Sequence, residues 1–262
     1  MLSLLRYFAN VNNPLLHTSS TEPKLYTTDS GIIAGSEAGW TLSKNTHWRV
    51  FFASVFLVSV PVFIEAPLVR AAPVLSVFLT LGWVGLSYVL LQKYHTWLWG
   101  DLLLGFAGSW FAGSIYWGWM RWEPLWHLPI ECLALPLPLW LIARNRLIVG
   151  SWFAIGSLFG TAITDVYFFL TDLMSHWRQL MNAEPNLVMP IFHSALERVN
   201  TPFGTILAII LAIVLMSVGL VPLWLRSPLR ASPPLSAWAF SGAVLSTILV
   251  DMLFWVAAVT AT

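Results

Sequence analysis

Long apolar stretches alternate with short polar breaks from Trp48 to the end of the chain. A helix needs about 20 apolar residues to cross the hydrocarbon core of a membrane. The pattern therefore predicts an all-α bundle of about seven transmembrane spans, with six as the alternative. The fourth span contains three prolines and is expected to be kinked. The predicted spans are 48–64, 72–91, 98–120, 125–143, 147–170, 203–225 and 235–259.

The composition supports a membrane protein and excludes other classes. Hydrophobic residues make up 58% of the chain, charged residues make up 10%, and the mean hydropathy is +0.74. Soluble domains carry about 25% charged residues, so a water-soluble fold is excluded. Thirteen basic and twelve acidic residues nearly balance, which gives no sign of a nucleic-acid interface. The lipid bilayer is the partner that this composition predicts.

The basic residues predict how the chain is oriented in the membrane. Cytoplasmic loops carry an excess of Lys and Arg. With the N-terminus inside, nine basic residues fall on inner segments and four on outer segments, so we expect a cytoplasmic N-terminus and an outer C-terminus. Residues 1–47 are then a flexible cytoplasmic tail, 48–262 the transmembrane domain, and about 171–202 an outer-side segment. The outer residues are Arg70, Arg121, Arg178 and Arg198.

Small residues four positions apart suggest which helices are packed most tightly. The third span carries Gly108 with Ala112, and the fifth carries Gly156 with Gly160. Such pairs let two helix backbones approach closely in lipid. We expect these two helices to form the centre of the bundle.

Most ionisable residues in or beside the spans fall at the predicted outer ends. Glu131, Asp165 and Asp251 lie deep enough in the spans to require partners, because an isolated charge in the membrane is costly. Together with Arg121 and His127 they predict a polar pocket that opens to the outer face. In that pocket Glu131 or Asp165 is the candidate proton donor, with His127 and Arg121 as the candidate residues that tune it.

The spacing of Glu123, His127 and Glu131 predicts one stripe on a helix, because each is four residues from the next. Aromatic residues around this stripe are the candidate ligand contacts, and Asp251 is grouped with them. A belt of tryptophans at the membrane interface is the alternative interpretation of the same residues. The candidate aromatic contacts are Tyr116, Trp117, Trp122 and Trp126.

Two other interpretations of the polar residues stay open. The acids and arginines would simply neutralise one another and fix the helix register, or His127, His176, Glu131 and Asp172 would bind a divalent ion. We assign no metal site from the sequence, since the spacing is not the Glu-x-x-His pattern of di-iron bundles, and the cofactor is unknown.

Three stretches resemble a known family: 58–70 (VSVPVFIEAPLVR), 113–131 (GSIYWGWMRWEPLWHLPIE) and 156–167 (GSLFGTAITDVY). The family is a group of cyanobacterial membrane proteins described as a domain of unknown function, and the likeness runs from about Trp48 to Pro202. The resemblance implies a photosynthetic bacterium, with the protein in the thylakoid or plasma membrane. The triplet Pro129-Ile130-Glu131 is also similar to the Pro-x-Glu-Glu of membrane-embedded carotenoid cyclases, with Cys132 in place of the second acid.

Three functions remain on these observations. The first is binding or modification of an isoprenoid lipid, a carotenoid or a quinone, in the outer pocket. The second is a non-catalytic assembly partner or accessory subunit of a photosynthetic membrane complex. The third is a transporter, for which Asp101, Asp165 and Asp251 would line a path.

Overall fold

The computed structural model describes residues 44–184, 186–224 and 233–261, and these form a helical bundle without strands. Residues 1–43, which make up most of the predicted tail, lie outside this part. The helices are α1 (Lys44–Ala71), α2 (Pro73–Leu91), α3 (Trp97–Ile115), α4 (His127–Glu131), α5 (Pro136–Ala143), α6 (Ile148–Leu170), α7 (Leu173–Asn182), α8 (Val188–Val199), α9 (Pro202–Trp224) and α10 (Leu235–Ala261).

Six candidate spans among the described residues are long and apolar enough to cross a membrane. The prediction of a multi-pass helical membrane protein is therefore confirmed. The predicted third span corresponds to α3, which continues as a π-helical turn, Tyr116–Met120. Helix α3 is not one of the six candidate spans, and most of it, including Gly, Ser and Asp101, is buried by neighbouring helices.

Helix α1 is longer than the sequence pattern indicated. The predicted first span stops at residue 64, but α1 runs through Pro61 and Pro67 to Ala71. Proline is tolerated in a membrane helix when neighbouring helices and side chains satisfy the freed backbone groups. Glu65 therefore lies inside the helix, within the bundle, and not in a loop after the span.

Four helices run in the same direction and define the two ends of the bundle. Contacts between α1 and α10 pair Trp48 with Trp238 and Phe63 with Phe254, so residue numbers rise together along both helices. Asp101 near the start of α3 contacts the first turn of α6, and Thr164 near the end of α6 contacts α10. We call the end where α1, α3, α6 and α10 finish the outer end, following the predicted orientation.

The fourth span is broken, as its prolines predict. Pro124–Trp126 and Cys132–Ala134 are 3-10 turns on either side of the five-residue α4, and α5 completes the crossing. Proline lacks an N–H, so each one removes a hydrogen bond of the helix. Because of this break, the side chain of Glu123 has a different direction from those of His127 and Glu131.

Glycines set the closest helix approaches, but with different partners from those predicted. Gly105 of α3 lies against Gly150 of α6, where a Cβ on either would collide with the backbone of the other helix. Gly108 has ordinary space around it. Gly156 and Gly160 of α6 face α10, not α3. Helices α3 and α6 do lie at the centre, but their seam uses a glycine pair that the four-residue spacing did not reveal.

Candidate functional site

An acid–histidine–acid cluster lies at the outer end of the bundle. His127 Nδ1 lies 2.9 Å from Asp165 Oδ1, and His127 Nε2 lies 3.3 Å from Glu131 Oε1. The three side chains are only 12%, 13% and 19% exposed. Both ring nitrogens are thus engaged, and a protonated His127 would pair with both carboxylates. We call these three residues the outer cluster.

The local fold explains why this cluster forms. His127 and Glu131 are four residues apart at the two ends of α4, so their side chains lie on one face. Asp165 comes from the last turns of α6, which packs against α4. Glu123 leaves the predicted stripe because it has an extended backbone (φ −120°, ψ 96°) and precedes a 3-10 turn.

Aromatic rings cover the histidine on its outer side. The Tyr116 and His127 ring centroids are 4.4 Å apart, and those of Trp117 and Trp177 are 5.8 and 5.9 Å from His127. Trp117 and Trp177 stack on one another at 5.4 Å. Tyr116 and Trp117 are the first two residues of the π-helical turn after α3, and both rings contact His127 of α4.

Helix α7 supplies Trp177 and is fastened to the rim of the site by two contacts. Trp177 Nε1 donates a hydrogen bond of 2.7 Å to the Arg121 carbonyl. Arg178 binds Glu123 through two nitrogens, at 2.7 to 3.2 Å. The hydrogen bonds from Arg178 lower the pKa of Glu123 below its ordinary value of 4.5, and the same bonds raise the pKa of Arg178. The pair is partly exposed, and it holds α7 over the outer cluster.

The side-chain contacts that the structure gives for the other predicted site residues lie outside the outer cluster. The Arg121 guanidinium donates to the Trp117 carbonyl at 3.1 Å and lies over the Trp122 ring. Trp122 and Trp126 are 50% and 53% exposed, as expected of interfacial rings. Asp251 is exposed on α10 and accepts a hydrogen bond of 3.1 Å from Thr164.

A second buried polar chain, which the sequence pattern did not single out, lies close to the outer cluster. Ser114 Oγ donates to Glu65 Oε1 at 2.9 Å, and Ser114 and Ser76 are joined at 2.7 Å. Glu65 is near enough to Glu131 for the two carboxylates to interact electrostatically. The chain links α1, α2 and α3, and its only sequence signal is an acid inside an otherwise apolar run.

Asp101 is separate from the outer cluster and has a structural contact of its own. It is fully buried at the inner end, where its carboxylate accepts the N–H groups of Val149 at 3.0 Å and Gly150 at 2.9 Å. These N–H groups lie in the first turn of α6, where no helical carbonyl is available to them. Both carboxylate oxygens of Asp101, one of the residues named for the transport hypothesis, are therefore engaged at the start of α6.

A cavity of about 20 Å³ lies beside Glu131, with Ser109, Ala154 and Leu158 among the residues that line it. This volume has room for about one water molecule. Glu131 therefore faces His127 on one side and the cavity on the other. A larger ligand would have to enter by displacing side chains around the cluster.

Two of the residues considered as metal ligands, His176 and Asp172, contact other side chains of the protein. His176 Nε2 lies 3.1 Å from Ser194 Oγ and joins α7 to α8, while Asp172 pairs with Arg198 at 3.6 Å. Within residues 44–184, 186–224 and 233–261, no group of three or more His, Cys, Asp or Glu side chains is placed to hold a metal ion.

Comparison with known proteins gives one match, which covers most of the chain. The family model described as "Protein of unknown function (DUF3120)" matches residues 54–259. No curated protein and no solved structure matches the chain. The matched range includes the outer cluster, the Glu65 chain and Asp101.

Proposed function

The chain belongs to this DUF3120 family of proteins of unknown function, and we propose that it is an integral membrane protein that binds or modifies an isoprenoid lipid at its outer cluster. The observation that carries the proposal is His127 held between Asp165 and Glu131 under a cover of aromatic rings. Ionisable side chains within membrane spans are rare and mark functional sites by default.

The geometry favours different roles for the two acids. Asp165 is the closer partner of His127 and occupies Nδ1, so it orients the ring and fixes its tautomer. Glu131 is the more exposed acid and also borders the cavity. Glu131 is therefore the better placed proton donor toward a ligand, and His127 is placed to return a proton to it.

The surroundings suit a lipid-soluble ligand. The outer cluster is reached through apolar and aromatic side chains at the end of membrane-crossing helices, where a polar metabolite would lose its hydration. Trp117 and Trp177 offer flat faces of the kind on which a conjugated chain or ring packs. In a photosynthetic host, the membrane would be the thylakoid or the plasma membrane.

The test is a profile of lipids, pigments and quinones by mass spectrometry in a native host that lacks the gene. We expect a missing product and an accumulated precursor, both corrected by the wild-type gene but not by Glu131→Gln. Glu197→Gln is the matched control, because this substitution makes the same chemical change at an exposed position of α8. A profile that the deletion leaves unchanged, or that Glu131→Gln restores fully, would contradict the proposed acid.

A second candidate function is that of a non-catalytic subunit of a membrane complex. The observation that favours it is the size of the cavity beside Glu131, about 20 Å³, which leaves no space for a ligand without movement. In this case Trp122 and Trp126, half exposed at the outer rim, would contact a partner subunit. Blue-native gels of solubilised membranes distinguish the two, because a lone small species would exclude stable assembly.

A further inference from the structure

The Tyr116 hydroxyl is the most unusual polar group of the site. Tyr116 is fully buried, and its hydroxyl has no hydrogen-bond partner among the described residues. A buried hydroxyl without a partner loses its hydration and gains nothing in exchange, so nearly all such groups in proteins are paired. Here the unpaired hydroxyl lies beside a cluster of three ionisable side chains. Its position suggests that a ligand of the site supplies the missing partner.

The position of the ring places the hydroxyl among the groups of the outer cluster. The Tyr116 ring packs on His127 at 4.4 Å between centroids. The carboxylates of Asp165, Glu123 and Glu131 are near enough to act electrostatically on the hydroxyl, but none of them accepts its proton in a hydrogen bond. A phenol is both donor and acceptor, and its ordinary partner as a donor is a carbonyl or carboxylate oxygen.

We propose that the ligand of the outer cluster is an isoprenoid quinone, one of whose carbonyl oxygens accepts a hydrogen bond from Tyr116. This inference rests on the proposed function and chooses between the two lipid classes considered for it. A hydrocarbon carotenoid offers no acceptor and would leave the hydroxyl unpaired. A quinone offers a flat ring for Trp117 and Trp177 and a carbonyl for Tyr116.

Access to Tyr116 requires movement of Trp177, since no side of the tyrosine is exposed. Trp177 belongs to the ten-residue α7, which is preceded by Asp172 in the left-handed region (φ 59°). The attachment of α7 to the rim is an exposed ion pair and one indole hydrogen bond. The ligand ring enters between Trp117 and Trp177, next to His127, and α7 is displaced outward.

The experiment measures equilibrium binding to the full-length protein in lipid nanodiscs. The probes are a benzoquinone with a decyl tail and decylbenzene, which has a ring of the same size without carbonyl oxygens. We expect Tyr116→Phe to weaken quinone binding by about fivefold to tenfold, as the loss of one hydrogen bond predicts, and to leave decylbenzene unaffected. Tyr167→Phe should change neither, because Tyr167 also has an unpartnered buried hydroxyl but lies two residues, roughly 200° of helix turn, from Asp165.

Each result separates this inference from the proposed function. If Tyr116→Phe binds the quinone as tightly as wild type, the hydroxyl makes no hydrogen bond to the quinone and the inference is wrong. If decylbenzene binds as tightly as the quinone, the site holds the ring and its apolar tail without a carbonyl contact, and only the inference fails. If neither probe binds to wild type and the deletion strain has a normal lipid profile, the proposed function fails too. A thermal melt of the ligand-free Tyr116→Phe variant should match wild type, and a clear loss of stability would show that the hydroxyl already has a partner.

Discussion

Asp101 and Gly150 are joined across the inner end of the bundle by a hydrogen bond of 2.9 Å from the Gly150 N–H to Asp101 Oδ1. The bond fixes α6 against α3 at the point where both helices start. From there the two helices run in the same direction to the outer end, where α3 leads into Tyr116 and α6 carries Asp165. The inner contact therefore sets the register of two residues of the site that lie at the other end of the bundle.

We expect Asp101→Ala to lower the free energy of unfolding by about 3 kcal/mol. The change leaves two buried N–H groups of the first turn of α6 without an acceptor, and each costs about 1–3 kcal/mol. Asp101→Asn is the control, since its amide keeps one acceptor oxygen and should lose about half as much. Unfolding titrations in detergent micelles measure both, and equal losses for the two variants would show that the capping bonds are not the cause.

The glycine seam between α3 and α6 gives a steric prediction. We expect Gly150→Ala to destabilise the protein by about 2 kcal/mol or more, because the new Cβ would collide with the Asp101 carbonyl and force the helices apart. Gly82→Ala on α2 is the matched control, since nothing lies within 4 Å of a Cβ there. The same unfolding titration should find Gly82→Ala neutral or slightly stabilising, and a similar loss for both variants would argue against a close seam.

The pairing of His127 with Asp165 should appear as a coupling energy. Because the two side chains are 2.9 Å apart and mostly buried, a double-mutant cycle with His127→Gln and Asp165→Asn should give about 1–3 kcal/mol of interaction free energy. A second cycle, of His127→Gln with Asp251→Asn, should give a value near zero, because Asp251 bonds to Thr164 and not to the histidine. Additive effects in the first cycle would contradict the cluster geometry.

The Glu123–Arg178 pair gives a pH dependence with a definite sign. The pKa of Glu123 is lowered in the folded protein, so its contribution to stability is present above 4.5 and is lost as the pH falls through the lowered value. Melting temperatures of wild type and Glu123→Gln should differ at neutral pH and converge in acid. The pair is exposed, so the difference should be small, and it should shrink in high salt. A difference in melting temperature that persists at the lowest pH would show that another group is responsible.

Hydropathy predicted the helices well because it reports contact with lipid. Six of the seven predicted spans match observed helical segments closely, including the broken one, since runs of apolar residues and prolines are local signals. The exception is the first, which was predicted to end at residue 64, whereas α1 continues to Ala71. A membrane helix tolerates proline when neighbouring helices pack against it, and a local sequence window does not contain that information.

The site was predicted in part for a related reason. His127 and Glu131 share a helix face, and the topology placed Asp165 at the same end, so their convergence followed from spacing and span direction. The Glu65–Ser114–Ser76 chain joins residues 38 and 49 positions apart, and Trp177 reaches Arg121 from 56 positions away. No periodicity connects such residues, so only the fold could identify them. Arg121 was grouped with the acids by its position in the sequence alone, and its side chain bonds to the carbonyl of Trp117, one helical turn earlier.

The central claim is that the outer cluster holds an isoprenoid ligand, and the most direct measurement is of the lipids that copurify with the protein. The full-length chain is extracted from native membranes in mild detergent, and the bound isoprenoids are quantified by mass spectrometry. We expect about one isoprenoid per chain with wild type and with Glu197→Gln, and a loss of most of it with His127→Gln. No isoprenoid above the level of an unrelated membrane protein, or equal amounts with His127→Gln, would contradict the account.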